Sequence, residues 1–378
     1  LIKTVKNSIH ICSLLLAALL VAGCKNEMLV ECESFDHPGG WVADPQFVEQ
    51  MGSPYLMAHG MGEVVENAST GIEFSRGGTY HVWARTTNWA PGNWDAPGRF
   101  NLWVDGRKLE KTMGVYEMRG WGWNYAGKVK VKSGPALLEL EDLTGFNARC
   151  DAVYLCDRYR TPTNQDEYLP DFRLQLTGSK EIPDKTLEFD LVVVGGGIAG
   201  CAASISAAEQ GLKVALVHDR PVLGGNASSE IRVHTLGIYG YFERILKMLD
   251  TEHYPNGSPD ALLDEQKRHK NMASYPNISL FLEYRAYAAN TVDMSIQSVD
   301  ARHTHTGEQV RFSAPYFVDC TGDGWIGYWA GAEYLYGREA ASEYGEGWDE
   351  YGALWSPDSA DHKVMGASLL WRTYESDS

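Results

Sequence analysis

The chain has 378 residues, more than one hydrophobic core usually fills, so at least two domains are expected. Hydrophobic residues make up 44% and charged residues 22%, a globular composition that excludes a disordered chain. Against 50 Asp+Glu stand 33 Lys+Arg, and a net charge of −17 argues against nucleic acid as a partner. Seven of the 12 tryptophans lie between Trp41 and Trp123, so the front and back of the chain differ in make.

Lys3 and Lys6 precede an apolar run from Ile11 to Ala22. That run is too short to span a bilayer and fits the core of a signal peptide. It ends in LVAGC, Leu20 to Cys24, which resembles the lipobox of bacterial lipoproteins. The resemblance implies a signal peptide over residues 1–23 and lipid on Cys24. The mature chain would then be membrane-anchored in a bacterial envelope, in the periplasm or at the cell surface. The plain alternative is a secretory signal that happens to hold a cysteine. Cys32, Cys150, Cys156, Cys201 and Cys320 remain, and an envelope compartment permits disulfides. No CxxC pair or His/Cys cluster has zinc spacing, so no zinc site is expected.

From Met28 to Asp157 short alternating runs are broken by Gly, Pro and Asn. Thr79–Thr86, Arg99–Gly106, Lys128–Gly134 and Ala136–Leu143 read as strands. In the first, Val82 and Ala84 face one way, and His81, Trp83 and Arg85 the other. Period-two alternation with frequent turns predicts an antiparallel β-sandwich over 28–157. Asp105-Gly106 marks a hairpin. No long helical period precedes Asp190.

The opening LVECESF and the closing CDAVYLC resemble the first and last strands of galactose-binding-like jelly rolls, a class rich in carbohydrate-binding modules. The resemblance implies a structural calcium on Glu31, Glu33 and Asp151. Three carboxylates alone do not specify that ion, and a solvated strand edge is the plainer reading. First and last strands of a jelly roll lie side by side, so the resemblance also implies a disulfide from Cys32 to Cys150 or Cys156. Trp89, Trp94, Trp121, Trp123 and Tyr125 are expected in loops. There they would stack on sugar rings or cover the ends of the sandwich.

Residues 158–187 read as a linker with at most a short ordered turn. A strand at Leu191–Val194 then leads into GGGIAG, a helix carrying Ala199, Ala202, Ala203 and Ala207, and a second strand at Val214–Val217. The GxGxxG glycines are Gly195, Gly197 and Gly200. Gly195 would make the tight turn, and Gly197 would admit a pyrophosphate. Gly200 would let helix and strand pack, and the helix N-terminus would face the phosphates. The ribose contact falls to His218 or Asp219, with Asp219 preferred.

The run RPVLGGNASSEIRVHTLG, Arg220 to Gly237, resembles the pyrophosphate and flavin loop of FAD-dependent oxidoreductases with two dinucleotide folds. It is similar to a bacterial envelope subfamily that carries a jelly roll in front. The resemblance implies FAD as cofactor, with Arg220, Gly224, Gly225 and Asn226 beside it. Phe312–Ala332 resembles the family's second motif, where a strand ends in Thr321-Gly322-Asp323 and returns to the cofactor. ISLFLEY, VDMSIQSVDARHTH and EQVRFSA read as strands of a sheet inserted between the motifs. By the same resemblance a further motif should serve the ribityl chain and flavin pyrimidine. None is visible after KVMGASLLWRTYES, so residues 188–378 read as a partial, truncated FAD-binding domain.

These readings combine into an FAD-dependent oxidoreductase, an α/β Rossmann-like domain behind a β-sandwich. It would transfer a hydride between flavin N5 and a carbohydrate-like small molecule, with the redox partner left open. His234, and after it Glu230, are the proton-handling candidates, although a structural His234 is the plainer reading. Cys201 reads as helix packing. Two alternatives stay open: a glycan-binding lipoprotein with a vestigial nucleotide-binding domain, and, ranked below it, a polysaccharide lyase.

Overall fold

In the computed structural model the described residues are 26–47, 51, 53–116, 120–165, 169–177, 183, 185–231, 233–235, 240, 243–253, 259–345 and 357–364. They divide into two compact units, 1–182 with 304–307 and 183–303 with 308–378. The apolar run, the lipobox and Cys24 lie outside the described residues, as does KVMGASLLWRTYES beyond Val364.

Among its described residues the front unit holds ten strands: β1 (Glu27–Glu31), β2 (Trp41–Asp44), β3 (Tyr55–His59), β4 (Ala68–Phe74), β5 (Gly78–Thr86), β6 (Phe100–Val104), β7 (Arg107–Lys108), β8 (Gly122–Val131), β9 (Gly134–Asp142) and β10 (Phe146–Cys156). They form two antiparallel sheets. One runs β2-β3-β10-β5-β8 with β1 also on β10, and the other runs β4-β9-β6-β7. The alternation explains the layering. In β4, Ala68, Thr70, Ile72 and Phe74 are buried and the residues between them are not. Val82 and Ala84 of β5 meet Phe74, Leu102, Val104 and Leu140 in the core between the sheets. Each such large apolar side chain contributes about 1.5–3 kcal/mol on burial. Asp105 and Gly106 both adopt positive φ, as a two-residue hairpin between β6 and β7 demands.

The outer face of the first sheet is also covered. Trp83, Trp123 and Tyr154 lie under a helix, α1 (Leu169–Thr177), whose Phe172 and Leu176 pack on them. This corrects two expectations. The 158–187 stretch is more than a linker with a turn, and a helix does precede Asp190. Pro170 suits the first turn, where its missing N–H costs nothing. Trp123 and Tyr125 lie in β8, not in a loop, because the strand begins at Gly122.

Arg173 of α1 explains the acidic residues of β1 and β10. Asp151, fully buried, accepts hydrogen bonds from Arg85 Nη1 at 3.0 Å and Arg173 Nη2 at 2.8 Å. Glu31 accepts from Arg173 Nε at 3.1 Å and Nη2 at 2.5 Å. Arg173 Nη1 also donates to the Met51 carbonyl. Glu31 and Asp151 therefore form neither a solvated strand edge nor the calcium site that the resemblance implied. Two guanidiniums supply the positive charge there. Glu33 is buried beside them with Oε2 unbonded, and desolvation, followed by repulsion from Glu31, raises its carboxyl well above the usual range despite Arg173. Cys32 Sγ lies 3.4 Å from Cys150 Sγ, both as free thiols. Cys156 belongs to the opposite face, so of the two expected partners only Cys150 is a neighbour.

The back unit has three layers. Its central sheet is parallel, in the order β14-β13-β12-β18, from β12 (Leu191–Val194), β13 (Val214–His218), β14 (Ile278–Leu282) and β18 (Tyr316–Asp319). All residues of β12 and β13 are buried, as expected for parallel strands covered on both faces. One face carries α2 (Ile198–Glu209), α3 (Glu243–Leu249) and α4 (Leu262–Ala273). The other carries a second sheet, β11-β17-β16-β15, from β11 (Lys185–Glu188), β15 (Tyr284–Val292), β16 (Ser295–His303) and β17 (Gln309–Ser313). ISLFLEY, expected in an inserted sheet, is split. Ile278–Leu282 joins the central sheet, Glu283 turns the chain at φ 61°, and Tyr284 starts the second sheet. Two short helices follow, α5 (Trp325–Trp329) and α6 (Ala341–Tyr344).

Candidate functional site

The carboxyl ends of β12, β13 and β18 open onto a cleft of about 280 Å³, lined by Gly195, Gly197, Asp219, Gly225, Asn226, Gly322, Asp323 and Arg285 among others. This is where a parallel sheet binds ligands, outside the carboxyl ends of its strands.

The three glycines of GxGxxG have separate reasons. Gly195 turns the chain off β12 at φ +104°, and an added Cβ would stand 2.1 Å from the Cys320 carbonyl oxygen. A Cβ on Gly200 would stand 1.8 Å from the Gly195 oxygen. These two are required by the protein itself. A Cβ on Gly197 would meet only the Gly225 Cα, at 4.0 Å, at an ordinary φ of −65°. The protein leaves that space open toward the cleft. Gly197 is also the N-cap of α2 and brings no capping side chain, so the first-turn N–H groups are left for an anion. Ala199 and Gly200 lie in that first turn and do not line the cleft themselves.

His218 ends β13, but both its nitrogens serve the main chain. Nδ1 accepts from the Gly196 N–H at 3.0 Å, and Nε2 donates to the Val222 carbonyl at 3.1 Å. Burial lowers its pKa although Asp219 opposes this, so the ring stays neutral. It fixes the glycine turn and has no nitrogen left for a ribose. That leaves Asp219, which lines the cleft and accepts from Arg285 Nη1 at 2.7 Å.

At the end of β18, Asp319 builds the second motif. Its Oδ1 accepts from the Thr321 N–H and hydroxyl, and its Oδ2 from the N–H groups of Ile326 and Gly327. Desolvation raises its pKa, but these bonds outweigh that and hold the carboxylate below the usual range. The turn so fixed presents Gly322 and Asp323 to the cleft.

The remaining candidates stand behind or outside this lining. Gly224 bonds back to the Gly196 carbonyl at 2.9 Å and supports Gly225. Arg220 is spent in a two-bond ion pair with Glu230, at 2.8 and 2.7 Å. Neither Glu230 nor His234 lines the cleft. Their loop leaves β13 and folds back along the chain, with the Val233 N–H on the Asn226 carbonyl. Cys201 is fully buried and desolvation pushes its thiol up to about 12, so it is inert packing. Sequence reasoning missed Arg285, Tyr284, Trp325 and Trp329, which also line the cleft. The turn at Glu283 brings the first two there, and it has no Gly or Pro to signal it.

In the front unit, Trp89, Trp94 and Trp121 do lie outside strands. Trp89 stacks on Phe146 with centroids 5.6 Å apart, Trp121 packs on Tyr55 at 4.8 Å, and Trp94 is 64% exposed.

Residues 190–365 match the family model described as FAD dependent oxidoreductase. The chain is 36% identical over 69 residues to the mitochondrial glycerol-3-phosphate dehydrogenase of Rattus norvegicus, covering 18% of this chain and 9% of the relative. It is 40% identical over 60 residues to the glycerol-3-phosphate dehydrogenase of Mycobacterium leprae, covering 16% and 10%. The aligned segments thus span no more than 10% of the length of these relatives. Among solved structures, a family 35 carbohydrate binding module from Clostridium thermocellum aligns with 34% of this chain and 96% of its own. The identity is 12% and the TM-score 0.28. Through residues 190–365 the chain is thus similar to FAD-dependent oxidoreductases, and the match supports FAD as the cofactor of that region.

Proposed function

We infer that the protein exchanges a hydride between FAD, held on the back unit, and a small-molecule substrate, a sugar or glycan-derived alcohol met in the bacterial envelope. The observation that carries the cofactor site is Gly197. Its space is open where Gly195 and Gly200 are closed by backbone, at the capless start of a helix. Bound FAD supplies a two-electron acceptor. The chain's own residues do the holding. The N–H groups at the start of α2 receive the diphosphate, and Gly197 and Gly225 let the backbone approach it. Asp219 takes the ribose hydroxyls, and the turn fixed by Asp319 presents Gly322 and Asp323 to the cofactor.

The substrate class is supported by the exposed Trp94 and the half-buried Trp89 and Trp121 of the front unit. The envelope setting is supported by Lys3, Lys6, the apolar run and the lipobox at Cys24. The test is an anaerobic absorption spectrum of the purified full chain loaded with FAD, before and after adding candidate sugars. Bleaching of the flavin band by a sugar supports the reading. A chain that retains sugars but takes up no flavin would be the glycan-binding lipoprotein instead.

A further inference from the structure

Arg268 of α4 is fully buried and makes no hydrogen bond or ion pair to a carboxylate among the described residues, although Asp264, Glu265 and Asp250 lie close enough for their charges to act on it. Its Nε donates to the Leu249 carbonyl at 2.6 Å and its Nη2 to the Thr251 hydroxyl at 3.2 Å. Nη1 has no partner. The acids near it are engaged elsewhere. Asp264 bonds His253 Nδ1 and the N–H groups of Glu252 and His253. Glu265 bonds the Ser229 N–H, and Asp250 bonds Lys267. A buried guanidinium left like this costs free energy that the fold alone does not recover.

Its position gives the reason. A Cβ on Gly224 would meet Arg268 Nε and Nη1, both at 3.1 Å, and a Cβ on Gly225 would meet the Gly197 Cα at 3.2 Å. The Gly224–Gly225 turn is thus pressed between Arg268 behind and Gly197 in front, and Gly225 lines the cleft. Both glycines take positive φ, +116° and +57°, and each packs against a different wall. The cation stands one turn of backbone behind the place where Gly197 leaves room.

We propose that Arg268 is a positioning residue for the diphosphate of the cofactor. Its buried positive charge acts through the Gly224–Gly225 turn on an anion seated at Gly197. Buried charge is screened far less than surface charge, so it acts across a single turn without touching the ligand. The proposal rests on the cofactor reading above. Nothing in LLDEQKRHKNMA, Leu262 to Ala273, marks which of its cations turns inward.

The test separates the charge from the fold by using ligands with and without a diphosphate. ADP and adenosine are titrated calorimetrically into the full chain and its variants, with thermal melts run alongside. Arg268→Met should weaken ADP about tenfold while leaving adenosine nearly unchanged, and Arg268→Lys should keep most of the ADP affinity. If Arg268→Met does not fold, Arg268→Gln keeps a donor toward Leu249 and removes the same charge. Equal weakening of ADP and adenosine would make Arg268 merely structural, and unchanged ADP binding would overturn the proposal outright. A wild-type chain that binds ADP no better than adenosine, and no FAD, would instead overturn the cofactor reading beneath it.

Discussion

Arg173 in the front unit and Arg268 in the back unit are both buried guanidiniums, and they are satisfied in opposite ways. Arg173 is held by Glu31 and Asp151, with Arg85 sharing the second carboxylate. Arg268 has main-chain and hydroxyl acceptors but no carboxylate. In the first case the charges cancel inside the protein and the region is closed. In the second, a guanidinium with no direct carboxylate bond and an unbonded Nη1 stands beside a cleft where glycines also leave room. Both regions keep unbonded buried atoms, Glu33 Oε2 and Arg85 Nε in the first and Arg268 Nη1 in the second, so what sets the second apart is the open space of the glycines beside it.

The strongest way to break this comparison is to open the closed side. Arg173→Ala leaves Asp151 and Glu31 buried without their shared partner. The front unit should lose about 3–5 kcal/mol, the usual cost of removing one half of a buried ion pair. Urea unfolding followed by tryptophan fluorescence would show it, since Trp83 and Trp123 lie under α1. A loss below about 1 kcal/mol would mean that the cluster is wet and behaves like a surface pair.

The glycines give the next contrast. Gly200→Ala drives a methyl into the Gly195 carbonyl and should cost roughly 1–3 kcal/mol of stability. Gly197→Ala meets only the Gly225 Cα, at an ordinary contact distance, and should leave stability within about 0.5 kcal/mol. Only the Gly197 variant should combine a normal melting temperature with reduced flavin content. If it copurifies with a full complement of FAD, the open space serves no ligand.

Glu33 sharpens the picture of the front cluster through pH. Its folded pKa is raised, first by burial and then by Glu31, so the folded state binds a proton that the unfolded state has already released. The protonated Glu33 therefore contributes stability that is full below its unfolded pKa near 4.3 and is lost as pH rises toward its folded pKa. Glu33→Gln should stabilise the chain at neutral pH by about 1.4 kcal/mol for each pH unit of that window, and have little effect near pH 4. Equal effects at both values, measured by denaturation, would show that Glu33 does not titrate on unfolding.

The smallest effect is expected at Asp219. Its replacement by Asn removes one charged acceptor from the ribose end of the cleft and weakens FAD by about 1 kcal/mol, a few-fold in Kd. Fluorescence titration of the flavin would resolve a change of that size. No change would leave the ribose contact to another residue.

Much of this was legible in the chain itself. The glycine spacing, the apolar run of β12 and the second strand at the right distance located the cleft, because each is forced by backbone contact. The front strands were legible because burial alternates along them. The arginines were not. Arg173 sits in a nine-residue helix with a proline in its first turn, which leaves little period to read. Arg285 reaches the cleft through the turn at Glu283, a residue with no special composition. Which side chain of a charged run faces inward depends on the packing of other elements, and a single sequence does not contain that.

The turn at Glu283 also has a mechanical meaning. It joins the central sheet to the second sheet with no intervening loop, so the strand that ends at Leu282 and the one that starts at Tyr284 are a single length of chain. Loops elsewhere absorb insertions cheaply, since closure entropy grows slowly with length. A joint of one residue has no slack of that kind. Tyr284 and Arg285 are therefore held at a fixed span from the middle of the parallel sheet, and the width of the cleft on that side is set by the covalent path of the chain.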